Sequence, residues 1–274
     1  MSTTTHEVPV ARLTRTPAED AYRLDGKVVV VTGGCGGIGS VVSQGLAELG
    51  AKIAISDWEA AKAEAFSETL EAQGYESVSV TFDVLSVADT QRMFDEIVEH
   101  YGKVDILVNC VGTQREEAAE SVTEEAFDKV YTVNLKGAMF QAQAAARHMI
   151  RQGTGGKQVH MGSVRSELAL RGRGYAAYCA SKGGLGILCK QLAAEWAPYQ
   201  INVNVVAPTF VRTPLVESML SDAAFYNGLV SRIPLGRLAS PKDVMSAIAF
   251  LVSPASDFIT GQKIFLDGGL TATQ

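Results

Sequence analysis

A chain of 274 residues can bury a sizeable core as one α/β domain or two small ones. Its 47% hydrophobic and 20% charged residues are ordinary for a globular protein. A net charge of −6 with no basic block argues against nucleic-acid binding, and no apolar run reaches the roughly 18 residues of a membrane span.

Cys35, Cys110, Cys179 and Cys189 form no CxxC pair and read as reduced thiols, which points to a cytoplasmic protein. His6, His100, His148 and His160 are scattered without metal-ligand spacing, so no metal is expected. Residues 1–24 are polar, carry Pro9 and Pro17 and lack an apolar signal region. They read as a flexible arm, or as a segment packing on a partner subunit, ahead of one domain over 25–274.

The β-branched run Lys27 to Thr32 predicts a strand buried on both faces. A glycine loop over 33–39 follows, then a helix over 40–49 stopped by Gly50. A second strand over 51–56 ends at Asp57, and a helix over 59–73 leads to a strand over 78–82 closed by Asp83. Helix 87–101 precedes strand 104–109, and a long helix over 123–151 contains Asn134. Strand 157–161, a helix over 175–195 and strand 201–206 come next. A loop region with short helices spans 208–235, before helix 241–251 and a last strand over 263–266. Such alternation predicts a single-domain Rossmann fold: a doubly wound parallel sheet of about seven strands flanked by helices.

The order strand, Thr32-Gly33-x-x-x-Gly37-Ile38-Gly39, helix is the frame in which a glycine loop can hold a pyrophosphate. Glycines let backbone approach the ligand, and the helix N-terminus offers free N–H groups and partial positive charge. The same loop could be a tight turn without ligand. Asp57 falls 18 residues after Gly39, near the offset of an acid that binds a ribose diol. No lysine or arginine lies at 34–40 or 56–60 to attract a 2′-phosphate, so NAD is favoured over NADP. Asp57 is equally placed to cap the next helix, and the two roles are compatible.

Tyr178 and Lys182 are four apart, on one helix face. An ammonium beside a phenol should draw its pKa below the usual value of about 10, making an acid or base for neutral pH. The pair alone is equally at home on a solvated helix face. Ser163 stands 15 residues upstream, far enough to reach the same pocket from a strand end.

Taken together, these motifs resemble the short-chain dehydrogenase/reductase family over about residues 25–270. The glycine loop, Asp83-Val84, Asn109-Cys110-Val111-Gly112, the series Asn134, Ser163, Tyr178, Lys182, and Pro208 to Thr213 occur in the family's order. The resemblance implies cofactor contacts at Gly33, Cys35, Gly36, Gly37, Ile38, Asp57, Trp58, Asp83 and Val84. It implies further ones at Asn109, Val111, Gly112, Tyr178, Lys182, Pro208, Val211 and Thr213. Tyr178 would then exchange a proton with a substrate hydroxyl while hydride moves to or from the nicotinamide. Lys182 would lower the tyrosine pKa and hold the ribose, Ser163 would bind the substrate oxygen, and Asn134 would hold a relay water. The resemblance also implies a homotetramer.

Cys110 and Val111 replace the family's usual Asn and Ala, and Thr209 its usual Gly. The segment from Ser163 to Tyr178 is longer than usual, by residues within 169–174, so Ser166 is the alternative to Ser163 as the site serine. Arg115, Arg165, Glu167 and Thr209, with Ser163 and Tyr178, are the substrate-binding candidates; Gln114, Glu116 and Arg171 are further polar neighbours. Ser163-x-x-Ser-Glu-Leu168 with Gly112-x-x-Arg115 is similar to the gluconate 5-dehydrogenase and 2-keto-3-deoxygluconate dehydrogenase branch, which implies a sugar, sugar acid or polyol. These charges read equally well as solvated loop residues. A 3-oxoacyl thioester reductase and a non-catalytic nucleotide sensor are the rival readings. The 209–232 segment is expected to close over substrate or to form a small satellite core.

Overall fold

The computed structural model describes residues 20–273, so most of the expected arm lies outside the described residues. Leu24 is already buried and its N–H bonds the carbonyl of Leu49, so the folded chain starts ahead of residue 25.

Seven strands form one sheet in the order β3-β2-β1-β4-β5-β6-β7. They are β1 (Val28–Thr32), β2 (Lys52–Asp57), β3 (Ser77–Thr81), β4 (Ile106–Asn109), β5 (Gly156–Met161), β6 (Ile201–Pro208) and β7 (Lys263–Leu266). Every neighbouring pair is parallel. All five residues of β1 are buried, as a strand covered on both faces requires.

The helices are α1 (Gly39–Glu48), α2 (Ala60–Ala72), α3 (Val87–Tyr101), α4 (Glu124–Tyr131), α5 (Gly137–Gln152), α6 (Ala176–Trp196), α7 (Pro214–Leu220), α8 (Ala223–Val230) and α9 (Pro241–Val252). On one face, Phe94 of α3, Ala142 of α5 and Leu185 of α6 pack with Val28, Val30 and Leu107. On the other, Val42 of α1, Leu70 of α2 and Ile248 of α9 pack with Val29, Val31 and Val108. Alternate residues of β1 thus feed the two cores, and the doubly wound expectation holds. The alanines of α5 (Ala138, Ala142, Ala144, Ala145, Ala146) lie in this core, so they are not a free face for a second subunit.

The long helix expected over 123–151 is interrupted. A π-helical turn over Thr132–Lys136 joins α4 to α5 and carries Asn134. Such widened turns concentrate at functional sites, and hydrophobic periodicity does not announce them. The order reverses where β1 lies beside β4, which opens a crevice at the carboxyl ends of the strands.

Candidate active site

The glycine loop leaves β1 where Gly33 adopts φ +68, and a Cβ there would lie 3.1 Å from the Cys110 carbonyl carbon and the Val111 nitrogen. A side chain at Gly37 would meet Thr213 at 2.9 Å. Glycine therefore lets the loop close against both β4 and the segment after β6. No side chain caps the start of α1, which leaves that end open to a ligand.

A cleft of about 1210 Å³ runs over this loop. Gly33, Cys35, Gly36 and Gly37 line its floor, with Asp57 and Trp58 at one end. Asp83, Val84, Val111 and Gly112 line it further along. An extended dinucleotide fits these donors: a glycine cradle, an uncapped helix end and a carboxylate at the tip of β2.

Asp57 is buried, and its carboxylate accepts from the N–H groups of Trp58 (2.9 Å), Glu59 (3.4 Å) and Cys35 (3.4 Å). The first helical residue after it is Ala60, with Glu59 as the cap position, so Asp57 does not cap α2. Trp58 is 76% exposed and its indole stands open at the same end. The Cys35 thiol bonds Asp57, and burial first, then that carboxylate, pushes it up to about 12. It is an unreactive thiol that helps fix the acid.

Sequence reading missed Lys62, which also lines this end and pairs with Glu59 at 3.1 Å. Lys62 lies beyond residues 56–60, in the first turn of α2, which the fold brings to the Asp57 end of the cleft. Lys129 and Val133 were missed too, because only the fold brings α4 and the π-turn beside the cleft.

Other expected contacts act differently. The Asn109 carboxamide is buried, accepting from Thr32 Oγ1 (3.3 Å) and Val111 N–H (3.0 Å) and meeting His160 Nδ1 (3.4 Å). It locks β1, β4 and β5 together and so positions the crevice. Ile38 packs partly on the core, and Val211 is buried in it, so Val211 has only backbone for a ligand. Ala239 bonds the Phe210 carbonyl and the Arg212 N–H, which turns Val211's own N–H and C=O the other way. Pro208 ends β6 opposite Leu266, and Thr209 donates its N–H to the Leu266 carbonyl at 3.2 Å. The Cys110 thiol, pushed up to about 12 by burial, feels the Lys182 charge, so this substitution sits by the Lys182 end of the crevice.

Ser163 follows β5 and caps a short 3-10 turn, Val164–Ser166. Its Oγ accepts from the Arg165 N–H at 3.1 Å, and its hydroxyl stands near enough to the Tyr178 phenol to favour the phenolate. Ser166 is occupied elsewhere: its Oγ donates to the Ser163 carbonyl (2.8 Å) and accepts from Lys263 Nζ (3.1 Å).

Tyr178 and Lys182 lie one turn apart on α6, with Nζ 5.8 Å from the centre of the tyrosine ring. Lys182 is buried and donates to the Met161 carbonyl at 2.6 Å; burial brings its pKa down to about 8. The downward pull of the lysine on the tyrosine is not what dominates here. Burial pushes the phenol up, offset first by the Ser163 hydrogen bond and then by the charge of Arg165.

Asn134 closes the group. Its Oδ1 accepts from Thr113 N–H (2.8 Å), and its Nδ2 donates to the Thr113 carbonyl (2.9 Å) and to Ser181 Oγ (3.0 Å). Both Nδ2 protons are thus spent on protein, while Oδ1 keeps one lone pair. A Cβ on Gly112 would lie 3.6 Å from both Asn134 Oδ1 and Lys182 Nζ, so the cleft runs directly onto the tetrad.

The expected substrate charges separate. Glu167 pairs with Lys263 and is tied to β7. Glu116 pairs with Arg173. Arg115 and Arg171 are exposed, and Arg165 is buried with Nη1 on the carbonyls of Leu168 (3.0 Å) and Ala169 (2.8 Å). Leu220, Leu229, Ile233 and Leu238 form a small separate core with Phe210 and Phe225, so the 209–232 segment has its own hydrophobic centre.

This fold and crevice define a nicotinamide-dependent oxidoreductase. A family model described as enoyl-(acyl carrier protein) reductase matches residues 33–271. 2-Dehydro-3-deoxy-D-gluconate 5-dehydrogenase of Escherichia coli is 38% identical over 92% of this chain and 98% of its own length. D-threitol dehydrogenase of Mycolicibacterium smegmatis is 37% identical over 91% of this chain and 95% of its own. The crystal structure of a gluconate 5-dehydrogenase from Burkholderia cenocepacia, in complex with NADP and tartrate, superposes with a TM-score of 0.89 at 39% identity, covering 93% of this chain and 99% of that one. The chain belongs to the short-chain dehydrogenase/reductase family.

Proposed function

We propose that this enzyme interconverts a secondary alcohol and a ketone on a sugar, sugar acid or polyol, with NAD preferred over NADP. The observation that carries the reading is the grouping of Ser163, Tyr178 and Lys182 beside Gly112, which lines a cleft that also takes in Asp57. When bound, the nicotinamide accepts or returns the hydride. Tyr178 moves the hydroxyl proton, and Ser163, whose oxygen accepts the Arg165 N–H, keeps its single O–H to donate to the substrate oxygen. Lys182 holds positive charge below the tyrosine in a site shielded from water. Asp57, fixed by three N–H donors, receives the ribose hydroxyls and opposes a 2′-phosphate. The names of the relatives support a sugar or polyol, and two related structures hold NADP.

We also propose a homotetramer in a reducing, cytoplasmic compartment. All four cysteines are free, and no described helix is long and apolar enough to cross a membrane. Ile187 (66% exposed) and Tyr131 stand with Met139, Phe140 and Leu188 in an apolar groove over α4 to α6, a face suited to a second copy.

The test is absorbance at the reduced-nicotinamide band with NAD and NADP, over sugar acids, polyols and a 3-oxoacyl thioester. Turnover of a sugar acid or polyol, faster with NAD, is expected. Turnover of the thioester alone would overturn the substrate reading, and a stronger rate with NADP would overturn the cofactor reading.

A further inference from the structure

Arg165 is 6% exposed, and no carboxylate is among the described groups whose charges act on it. Its Nη1 serves two loop carbonyls. No carboxylate lies within 4.0 Å of the guanidinium among the described residues. Two carboxylates near it in sequence or among the substrate candidates are committed elsewhere: Glu167 to Lys263 and Glu116 to Arg173. Of the charged groups that act on Arg165, the other cation is Arg232, and the remainder are the Cys179 thiol and the phenols of Tyr175 and Tyr178.

A buried guanidinium without an anion is costly, because the desolvation of the charge is not repaid by neutral carbonyls alone. Its position relates that cost to function. Arg165 is two residues from Ser163, bonds the Ser163 hydroxyl through its own N–H, and stands close enough to Tyr178 for its charge to bear on the phenol. The unsatisfied charge therefore faces the point where a substrate oxygen would be held.

We infer that Arg165 selects an anionic substrate: the counter-charge it lacks is a carboxylate on the sugar or polyol chain, received by the guanidinium edge that the loop carbonyls leave free. This rests on the proposed reaction and narrows it to sugar acids over neutral polyols. A guanidinium offers parallel donors that match a carboxylate, and its loop tether orients it beforehand. Arg115 is the weaker partner because it is exposed and screened by water.

The experiment measures binding rather than turnover, so it stands apart from the proposed reaction. The NADH complex is titrated calorimetrically with two matched pairs, D-gluconate against D-glucitol and tartrate against threitol, each differing in carboxylate against hydroxymethyl. The wild type should bind at least one anion tenfold or more tightly than its neutral counterpart. Arg165→Gln should erase that ratio with neutral binding within about twofold, and Arg165→Lys should keep part of it. Equal binding of both members of each pair by the wild type overturns the inference, as does an Arg165→Gln loss shared equally by anion and polyol. The wild-type ratio and the lysine variant remain readable if the glutamine variant does not fold. Absence of turnover on every alcohol would remove the proposed reaction while leaving the binding ratios intact.

Discussion

Ser166 donates its hydroxyl to the Ser163 carbonyl at 2.8 Å, while the Ser163 hydroxyl stands by the Tyr178 phenol and favours its ionised form. The two serines are three apart in one short turn and do different work. Ser163→Ala should lower kcat by about 100-fold or more, the scale of losing one oriented donor at the reacting oxygen. Ser166→Ala should leave kcat within about threefold and cost about 1 kcal/mol of stability, since a part-buried hydrogen bond to Lys263 is lost. Steady-state kinetics beside urea unfolding separate the outcomes. A larger kcat loss at Ser166 would reassign the site serine.

Tyr178→Phe should abolish turnover, removing the proton carrier, and leave NAD binding within about threefold, because the cleft's cofactor donors lie elsewhere. Fluorescence titration with NADH checks binding. Turnover near wild type in this variant would remove the tyrosine from the mechanism.

Under the proposed cofactor placement, cofactor choice should turn on two opposed charges at the Asp57 end of the cleft. Asp57 is fixed by three N–H donors, and Lys62 is held back by Glu59. Asp57→Ala should raise the NADP-to-NAD ratio of kcat/KM by at least tenfold, about 1.4 kcal/mol of relieved repulsion. The added change Lys62→Ala should reverse most of that gain, since Lys62 is then the charge at this end of the cleft that meets the 2′-phosphate. An unchanged ratio in Asp57→Ala would show that the acid does not face the ribose.

His160 is 1% exposed, has no partner at Nε2, and burial pushes it down to about 4 from 6.5. The unfolded chain takes up this proton between those values while the native chain resists it. Stability from the neutral imidazole is thus full above pH 6.5 and lost progressively as pH falls toward 4. The loss amounts to about 3 kcal/mol. His160→Gln lacks the titration, so its fall in unfolding free energy across that window should be smaller by about this amount. Parallel curves for the two proteins would show that His160 is not buried neutral.

Most of the framework was legible because it is written in local sequence. The β-branched run of β1, the glycines of the loop and Asp57 at the tip of β2 sit within one βαβ unit, where spacing alone fixes their relation. Ion pairs were not legible. Glu116 reaches Arg173 across 57 residues and Glu167 reaches Lys263 across 96, distances set only by the folded chain. The π-turn at Asn134 was hidden because one widened turn leaves helical periodicity almost intact. The pKa of Tyr178 was misjudged because pair spacing says nothing about burial, which here outweighs the neighbouring charges.

The lengthened segment before Tyr178 gives the last prediction. Arg173 in it pairs with Glu116 and stands 5.3 Å over the Tyr175 ring and 5.5 Å over the Phe225 ring of α8. One side chain thus joins the loop after β4, the segment before α6 and helix α8. Each contact is partly exposed, so together they are worth about 1–2 kcal/mol. Arg173→Ala should therefore raise the Michaelis constant about five- to tenfold and speed proteolytic cutting within 209–232, with kcat unchanged or higher where opening limits product release. Glu116→Gln removes only the ion pair and should give a smaller shift in the same direction. If Arg173→Ala left both the Michaelis constant and the cutting rate unaltered, the helices would be held by their own core of Leu220, Leu229, Ile233 and Leu238 instead.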